Sequence, residues 1–209
     1  MSVQMTGLLR ESVIADMLFN SCYNEPMDYP SDLLQKIKAI EPKRKTLLIG
    51  IDGFGGAGKT ALSTYLHDNL PNLTIVQLDD FYLPKLGRPD RNRILEEVFT
   101  PLEKDITTTY QVYNWVADSL DRSISINPGG IVIIEGVYAL HPDFVPYYDY
   151  KIWIHCSPEV GFKRGVDRDK NRDRVDNSEK WKTIWMPNEK EYVDTENPQQ
   201  YADYILEVE

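Results

Sequence analysis

Apolar positions along the chain change their period several times, and each change marks an element. Leu9, Val13 and Met17, with Ile14 and Leu18 beside them, recur at helical spacing and predict an amphipathic helix over residues 6–20. Pro26, Asp28 and Pro30 predict a loop. Ser31 then predicts the N-cap of a second helix that carries Leu33, Leu34, Ile37 and Ile40 and stops at Pro42. Beyond Pro42 the apolar runs become short and continuous: Leu47, Leu48, Ile49 and Ile51, then residues 73–78, 131–134 and 150–156. Short runs of that kind are expected of strands buried on both faces of a parallel sheet. Helical spacing returns between them, at Leu62 and Leu66, at Leu95, Val98 and Phe99, over 158–174, and over 179–192 with an interruption expected at Pro187. Residues 84–93 predict a loop, and 201–206 a last strand. Alternating strands and helices predict an α/β fold, a parallel β-sheet flanked by helices. Residues 1–45 are expected to form an N-terminal helical extension and 46–209 a single globular domain, because no repeat, low-complexity tract or linker divides them.

One run carries chemistry of its own. Gly53-Phe54-Gly55-Gly56-Ala57-Gly58-Lys59-Thr60 matches G-x-x-x-x-G-K-[ST] without a mismatch, between a predicted strand and a predicted helix opened by Ala61. Gly53, Gly55, Gly56 and Gly58 let successive backbone N–H groups close on an anion, and the following helix adds its unpaired amides. Lys59 supplies an ammonium for the β/γ-phosphates, and the Thr60 hydroxyl a ligand for Mg2+. Two further acids fall at predicted strand ends. Asp79, in Asp79-Asp80-Phe81-Tyr82, follows the second strand, where open α/β sheets bind ligands. Glu135 closes the run 131–134, where a nucleotide-binding sheet places a second Mg2+ contact. The segment 158–174 is basic, with Lys163, Arg164, Arg168, Lys170, Arg172 and Arg174. It reads either as a helical lid over phosphates or as a solvated face paired with Asp167, Asp169 and Asp173.

Composition narrows the picture. The net charge of -10 disfavours a general nucleic-acid binder. The two cysteines, Cys22 and Cys156, read as reduced thiols of a cytosolic protein. No run reaches membrane-spanning length and no signal peptide is evident, so a cytoplasmic protein without membrane contact is expected. His67, His141 and His155 lack metal-ligand spacing, and Trp181 and Trp185, one turn apart, point to core packing. Lys43-Arg44-Lys45 reads as a solvated lead-in to the first strand.

In order, the loop 53–60, Asp79-Asp80-Phe81-Tyr82, Val112-Tyr113-Asn114-Trp115, Ile134-Glu135-Gly136, Arg164 with Arg168-Asp169, and Tyr201-Ala202-Asp203 resemble the uridine kinase and phosphoribulokinase superfamily. The resemblance spans residues 46–206 and implies the P-loop NTPase fold and ATP-dependent phosphorylation of a hydroxyl on a small metabolite. It implies Asp79 as general base, Glu135 beside Mg2+, and Tyr82 and Tyr113 around the acceptor. It also implies Arg164, Arg168, Arg172 and Arg174 as lid arginines meeting phosphates or acceptor. Where pyrimidine kinases of that superfamily carry a histidine and then an arginine after the Tyr113-like position, this chain has Asp118 and Leu120, and their His-Pro-Asp signature is missing from 84–100. The acceptor therefore stays open among nucleosides, pantothenate-like compounds and sugar phosphates, as do ATP against GTP and a homo-oligomer. A nucleoside monophosphate kinase shares the loop and the arginines, and a non-catalytic nucleotide-binding protein shares the loop. A GTPase-type switch is expected to carry Asn-Lys-x-Asp, and Asp169-Lys170-Asn171-Arg172-Asp173 is not that motif.

Overall fold

The computed structural model describes residues 29–208, without the side chains of Arg172 and Asp173. The helix expected over 6–20 lies outside the described residues, as does Cys22. In chain order the elements are α1 (Ser31–Lys38), β1 (Thr46–Gly53), α2 (Lys59–Asn69), β2 (Leu73–Gln77), β3 (Tyr82–Leu83) and β4 (Arg88–Pro89). They continue with α3 (residues 91–103), β5 (Thr108–Asn114), β6 (Ser119–Ile126), β7 (Gly130–Glu135) and β8 (Tyr150–His155). The last are α4 (Pro158–Arg168), α5 (residues 178–196) and β9 (Tyr204–Glu207).

All eight residues of β1 are buried, which makes it the middle of a five-stranded sheet ordered β2-β7-β1-β8-β9. Every pairing in that sheet is parallel, so all the carboxyl ends lie on one edge. The register sets Ile51 of β1 and Gln77 of β2 on either side of Glu135 in β7. Helix α2 buries Leu62 and Leu66, the pair its spacing predicted. In α1, Ser31 is the first helical residue rather than the residue before it, and Leu33 and Ile37 form the buried face. The last strand begins at Tyr204, because Pro198–Tyr201 forms a 3-10 turn.

Two expectations need correction, and one stretch that no apolar period covered gains structure. After α3, β5 and β6 pair as an antiparallel hairpin with a register shift between Gln111 and Tyr113. Strand β5 turns Thr108, Tyr110 and Val112 inward while β6 is almost wholly exposed, so only half of the hairpin carries an apolar pattern. Arg44 is not solvated, since its guanidinium donates to the Tyr147 carbonyl at 2.7 Å and pairs with Asp149 at 3.5 Å. Pro187 does not interrupt α5. The five residues Trp181–Trp185 ahead of it are wound as a π-turn, which loosens the helix where the proline ring would meet a carbonyl. The same device recurs in α3, where the π-turn Leu95–Phe99 precedes Pro101. The Glu97 carbonyl, which Pro101 has no N–H to serve, accepts from the Thr108 hydroxyl of β5 instead.

Candidate active site

The loop between β1 and α2 stands on the carboxyl edge of the sheet. Gly56 and Gly58 have φ of +77° and +99°, values that side chains rarely adopt. At Gly56 space forbids one as well: a Cβ would lie 2.1 Å from the Gly161 carbonyl oxygen. The amides of Gly56, Gly58, Lys59, Thr60 and Ala61 have no acceptor among the described residues, so five consecutive-turn N–H groups remain for an anion. A phosphate suits such a cradle at a helix N-terminus. Lys59 is buried beside it, its ammonium donating to the carbonyls of Gly53 at 2.8 Å and Phe54 at 2.9 Å.

Glu135 does not face solvent. It is buried between β1 and β2, and its Oε1 accepts from the Thr60 hydroxyl at 3.0 Å and from Gln77 Nε2 at 3.3 Å. Burial pushes its carboxyl up to about 7, with the Lys59 ammonium pulling it back and the charge of Asp79 pushing it further. No cluster of three or more His, Cys, Asp or Glu suited to a metal occurs among the described residues. Thr60 and Glu135 still fit Mg2+, which is commonly held by one or two protein oxygens together with substrate phosphates and water.

Strand β2 ends in a 3-10 turn, Leu78–Phe81, that buries Leu78 and Phe81 and leaves Asp79 exposed at the sheet edge. Asp80 turns the other way, accepting from the Tyr110 hydroxyl at 3.1 Å, and burial raises its carboxyl to about 6. Of the two acids, then, Asp79 is the one facing outward, and its charge reaches both Glu135 and Glu189. Tyr82 and Tyr113, distant in sequence, come together with ring centroids 5.4 Å apart. Trp115 lies 4.2 Å from Tyr82, and the Trp185 indole donates to the Tyr82 hydroxyl at 3.3 Å. Trp185 thus belongs to this aromatic group as well as packing on Trp181. Asp118, at the position where a histidine was expected of a pyrimidine kinase, accepts from the Tyr113 hydroxyl.

The arginines of α4 divide. Arg164 lies close enough to buried Cys156 for its charge to act on that thiol, beside Lys59. Arg168 donates through Nε and Nη2 to Oδ1 of buried Asp169, at 3.2 and 2.9 Å. Asp169 Oδ2 accepts from the Trp181 indole at 2.8 Å and from Asn177 at 3.2 Å. The reading of this segment as a solvated face included pairing with Asp169; Arg168 makes that pair, but with an Asp169 that is buried rather than solvated. Arg174 is exposed with a left-handed backbone at the end of the π-turn Asp169–Asp173, and the side chain of Arg172 lies outside the described residues.

Three residues at the site went unread. Asp52 is fully buried, its carboxylate accepting from Gly53 N at 2.7 Å, Leu140 N at 2.8 Å and the Tyr192 hydroxyl at 2.7 Å. Burial raises it to about 6. Glu189 is buried too, with Oε2 accepting from Gly55 N at 2.9 Å, and burial raises it to about 7. A lone acid inside the apolar run of β1 was a usable signal for Asp52. Glu189 and Tyr192 on α5 gave none, because nothing local ties that helix to a loop more than a hundred residues earlier.

Comparison with known proteins agrees with this geometry. The chain is 28% identical over 179 residues to uridine kinase of Saccharomyces cerevisiae, covering 74% of this chain and 36% of that protein. It is 23% identical over 185 residues to uridine kinase of Streptococcus uberis, covering 78% of this chain and 87% of that one. In fold it is similar to a protein described as a possible uridine kinase from Bacillus stearothermophilus, with a TM-score of 0.61 and 20% identity over 84% of this chain and 95% of that one. D-glycerate 3-kinase of Cryptococcus neoformans follows at 0.51, with 15% identity over 89% and 88%. The sequence profile of the Phosphoribulokinase / Uridine kinase family matches residues 90–209, more than half of the chain, and the chain belongs to that family.

Proposed function

We propose that the protein transfers the γ-phosphate of ATP to a hydroxyl of a small metabolite, with Asp79 as general base. The observation that carries this reading is the sheet register. Glu135 is interposed between the strand that ends in the phosphate loop and the strand whose following turn carries Asp79. Donor and acceptor chemistry thereby share one edge, with Lys59 amid the carboxylates. The free amides of 56–61 and the Lys59 ammonium hold the β- and γ-phosphates in line, which is most of what phosphoryl transfer asks of a protein. Mg2+ at Thr60 and Glu135, when bound, neutralises charge on the phosphates. Asp79 takes the acceptor proton as the acceptor oxygen bonds to the γ-phosphorus, the bond to the β,γ-bridging oxygen breaks, and ADP leaves. Arg164 is the lid arginine assigned to the transferred group in this reading, supported by its charge acting, like that of Lys59, on Cys156.

The rings of Tyr82, Tyr113, Trp115 and Trp185 support a flat acceptor, and a nucleoside is the first candidate. Asp118, engaged with Tyr113, separates its readout from that of a uridine kinase with a histidine there. A panel of nucleosides, pantothenate-like compounds and sugar phosphates, assayed for ADP release from MgATP, tests the proposal. Stimulation by one class identifies the acceptor. ADP release that no member stimulates, despite tight MgATP binding, would favour a non-catalytic nucleotide binder.

A further inference from the structure

Two of the amides in the phosphate loop are held by buried carboxylates rather than left for an anion. Gly53 N donates to Asp52 Oδ1 at 2.7 Å, and Gly55 N to Glu189 Oε2 at 2.9 Å. Both holds lead to one helix. Glu189 sits on α5, and so does Tyr192, one turn later, whose hydroxyl donates to Asp52 Oδ2 at 2.7 Å. Residues three apart on a helix share a face, so a single face of α5 reaches the loop at two points. Trp181, earlier on α5, closes the same contact from outside: a Cβ on Gly55 would lie 2.6 Å from its ring and 2.8 Å from Glu189 Oε1.

We infer that Glu189, with Tyr192 behind Asp52, is a positioning residue that fixes the back of the phosphate loop so that the amides of 56–61 converge on phosphate. The inference deepens the proposed kinase reading and rests on it. A carboxylate buried against an anion-binding loop adds negative charge where a triphosphate must come, an unfavourable placement unless it does something for the loop. What it does is visible in the division of amides. Glu189 takes the Gly55 N–H, Asp52 takes that of Gly53, the Phe54 carbonyl takes that of Ala57, and the amides of Gly56, Gly58, Lys59, Thr60 and Ala61 stay available. With Gly55 tied back, the backbone turns through the positive φ of Gly56. Without the tie, the glycines around it are free to sample other loop shapes, and phosphate affinity falls by the fraction of time the loop spends in them.

The test compares wild type, Glu189→Ala, Glu189→Gln and Tyr192→Phe by calorimetric titration with MgATP, with the Gly55 amide followed by NMR. The amide side chain in Glu189→Gln keeps an acceptor for Gly55 N–H and drops the charge. The expected result is an affinity about 10-fold weaker for Glu189→Ala, largely recovered in Glu189→Gln, and about 3-fold weaker for Tyr192→Phe. The Gly55 amide proton is expected to move upfield in Glu189→Ala and much less in Glu189→Gln. Equal affinity in wild type and Glu189→Ala overturns the inference. So does tighter binding by both Glu189 variants, which would make the carboxylate a repulsive guard against phosphate. Should Glu189→Ala fail to fold, unchanged affinity in Tyr192→Phe together with tighter binding by Glu189→Gln overturns it equally. Failure of the wild type itself to bind MgATP would remove the kinase reading first, and is told apart by that.

Discussion

Lys59, Thr60, Asp79 and Glu135 each answer to a different part of the proposed reaction, and replacing them separates those parts. Lys59→Ala removes the ammonium proposed to meet the phosphates and takes from buried Glu135 the positive charge that pulls its carboxyl back. It is expected to lower turnover by a factor on the order of 100 or more, as loss of one charge-stabilising donor does. Asp79→Asn keeps shape while losing the negative charge and with it the ability to take a proton, and the residue is exposed, so folding is expected to stand. It should abolish phosphoryl transfer while MgATP still binds with near wild-type affinity in a calorimetric titration. Loss of binding would reassign Asp79 to the donor side. Glu135→Gln retains an acceptor for Thr60 and Gln77 and is expected to raise the Mg2+ concentration needed for half-maximal rate, a shift read directly from a Mg2+ titration. At this scale the sequence was legible where residues are contiguous, as in 53–60, or sit at strand ends, as Asp79 and Glu135 do. It was opaque at Glu189, whose partner is far away in sequence.

Elements were read from period, and they were read well wherever period and burial coincide. Strands β1, β7 and β8 fall within a residue or two of their apolar runs, and helix α2 is centred on Leu62 and Leu66. The hairpin β5–β6 escaped because its outer strand buries almost nothing, and the continuity of α5 escaped because a proline inside a helix is ordinarily a stop. Helix α5 earns its continuity from what it touches. The Trp181 ring lies between the phosphate loop and α4, with hypothetical Cβ atoms on Gly55 and Gly165 falling 2.6 and 2.4 Å from it. Gly165→Ala is therefore expected to push the ring out of place and destabilise the fold by about 1–3 kcal/mol, the usual range for overpacking. A urea titration measures this, and an unchanged midpoint would show that the Trp181 ring yields without cost.

Taken whole, the molecule gathers acids around one lysine, and its response to pH follows. Burial raises Glu135 and Glu189 to about 7 and Asp52 and Asp80 to about 6, all above their ordinary range near 4. An acid raised by folding contributes stability below its unfolded value, and that contribution is lost as pH rises through the folded one. The thermal midpoint without nucleotide is thus expected to fall between pH 5 and pH 8, in the same direction as the repulsion within a chain of net charge -10. Each kcal/mol lost lowers the midpoint of a domain this size by about 2–4 °C. Calorimetry at the two pH values checks the sign, and a midpoint higher at pH 8 would contradict it. No helix among the described residues is long and apolar enough to cross a membrane.

The aromatic group at the acceptor side has a practical consequence. Of the four tryptophans in the chain, Trp115 and Trp185 stand beside Tyr82 while Trp181 touches the phosphate loop and Trp153 lies within the sheet. The protein therefore carries native fluorophores at both of its proposed binding surfaces. Trp181 and Trp185 pack on each other, so emission excited at the indole band is expected to change when either acceptor or nucleotide binds, and unlabelled compounds can be screened optically before any product is assayed.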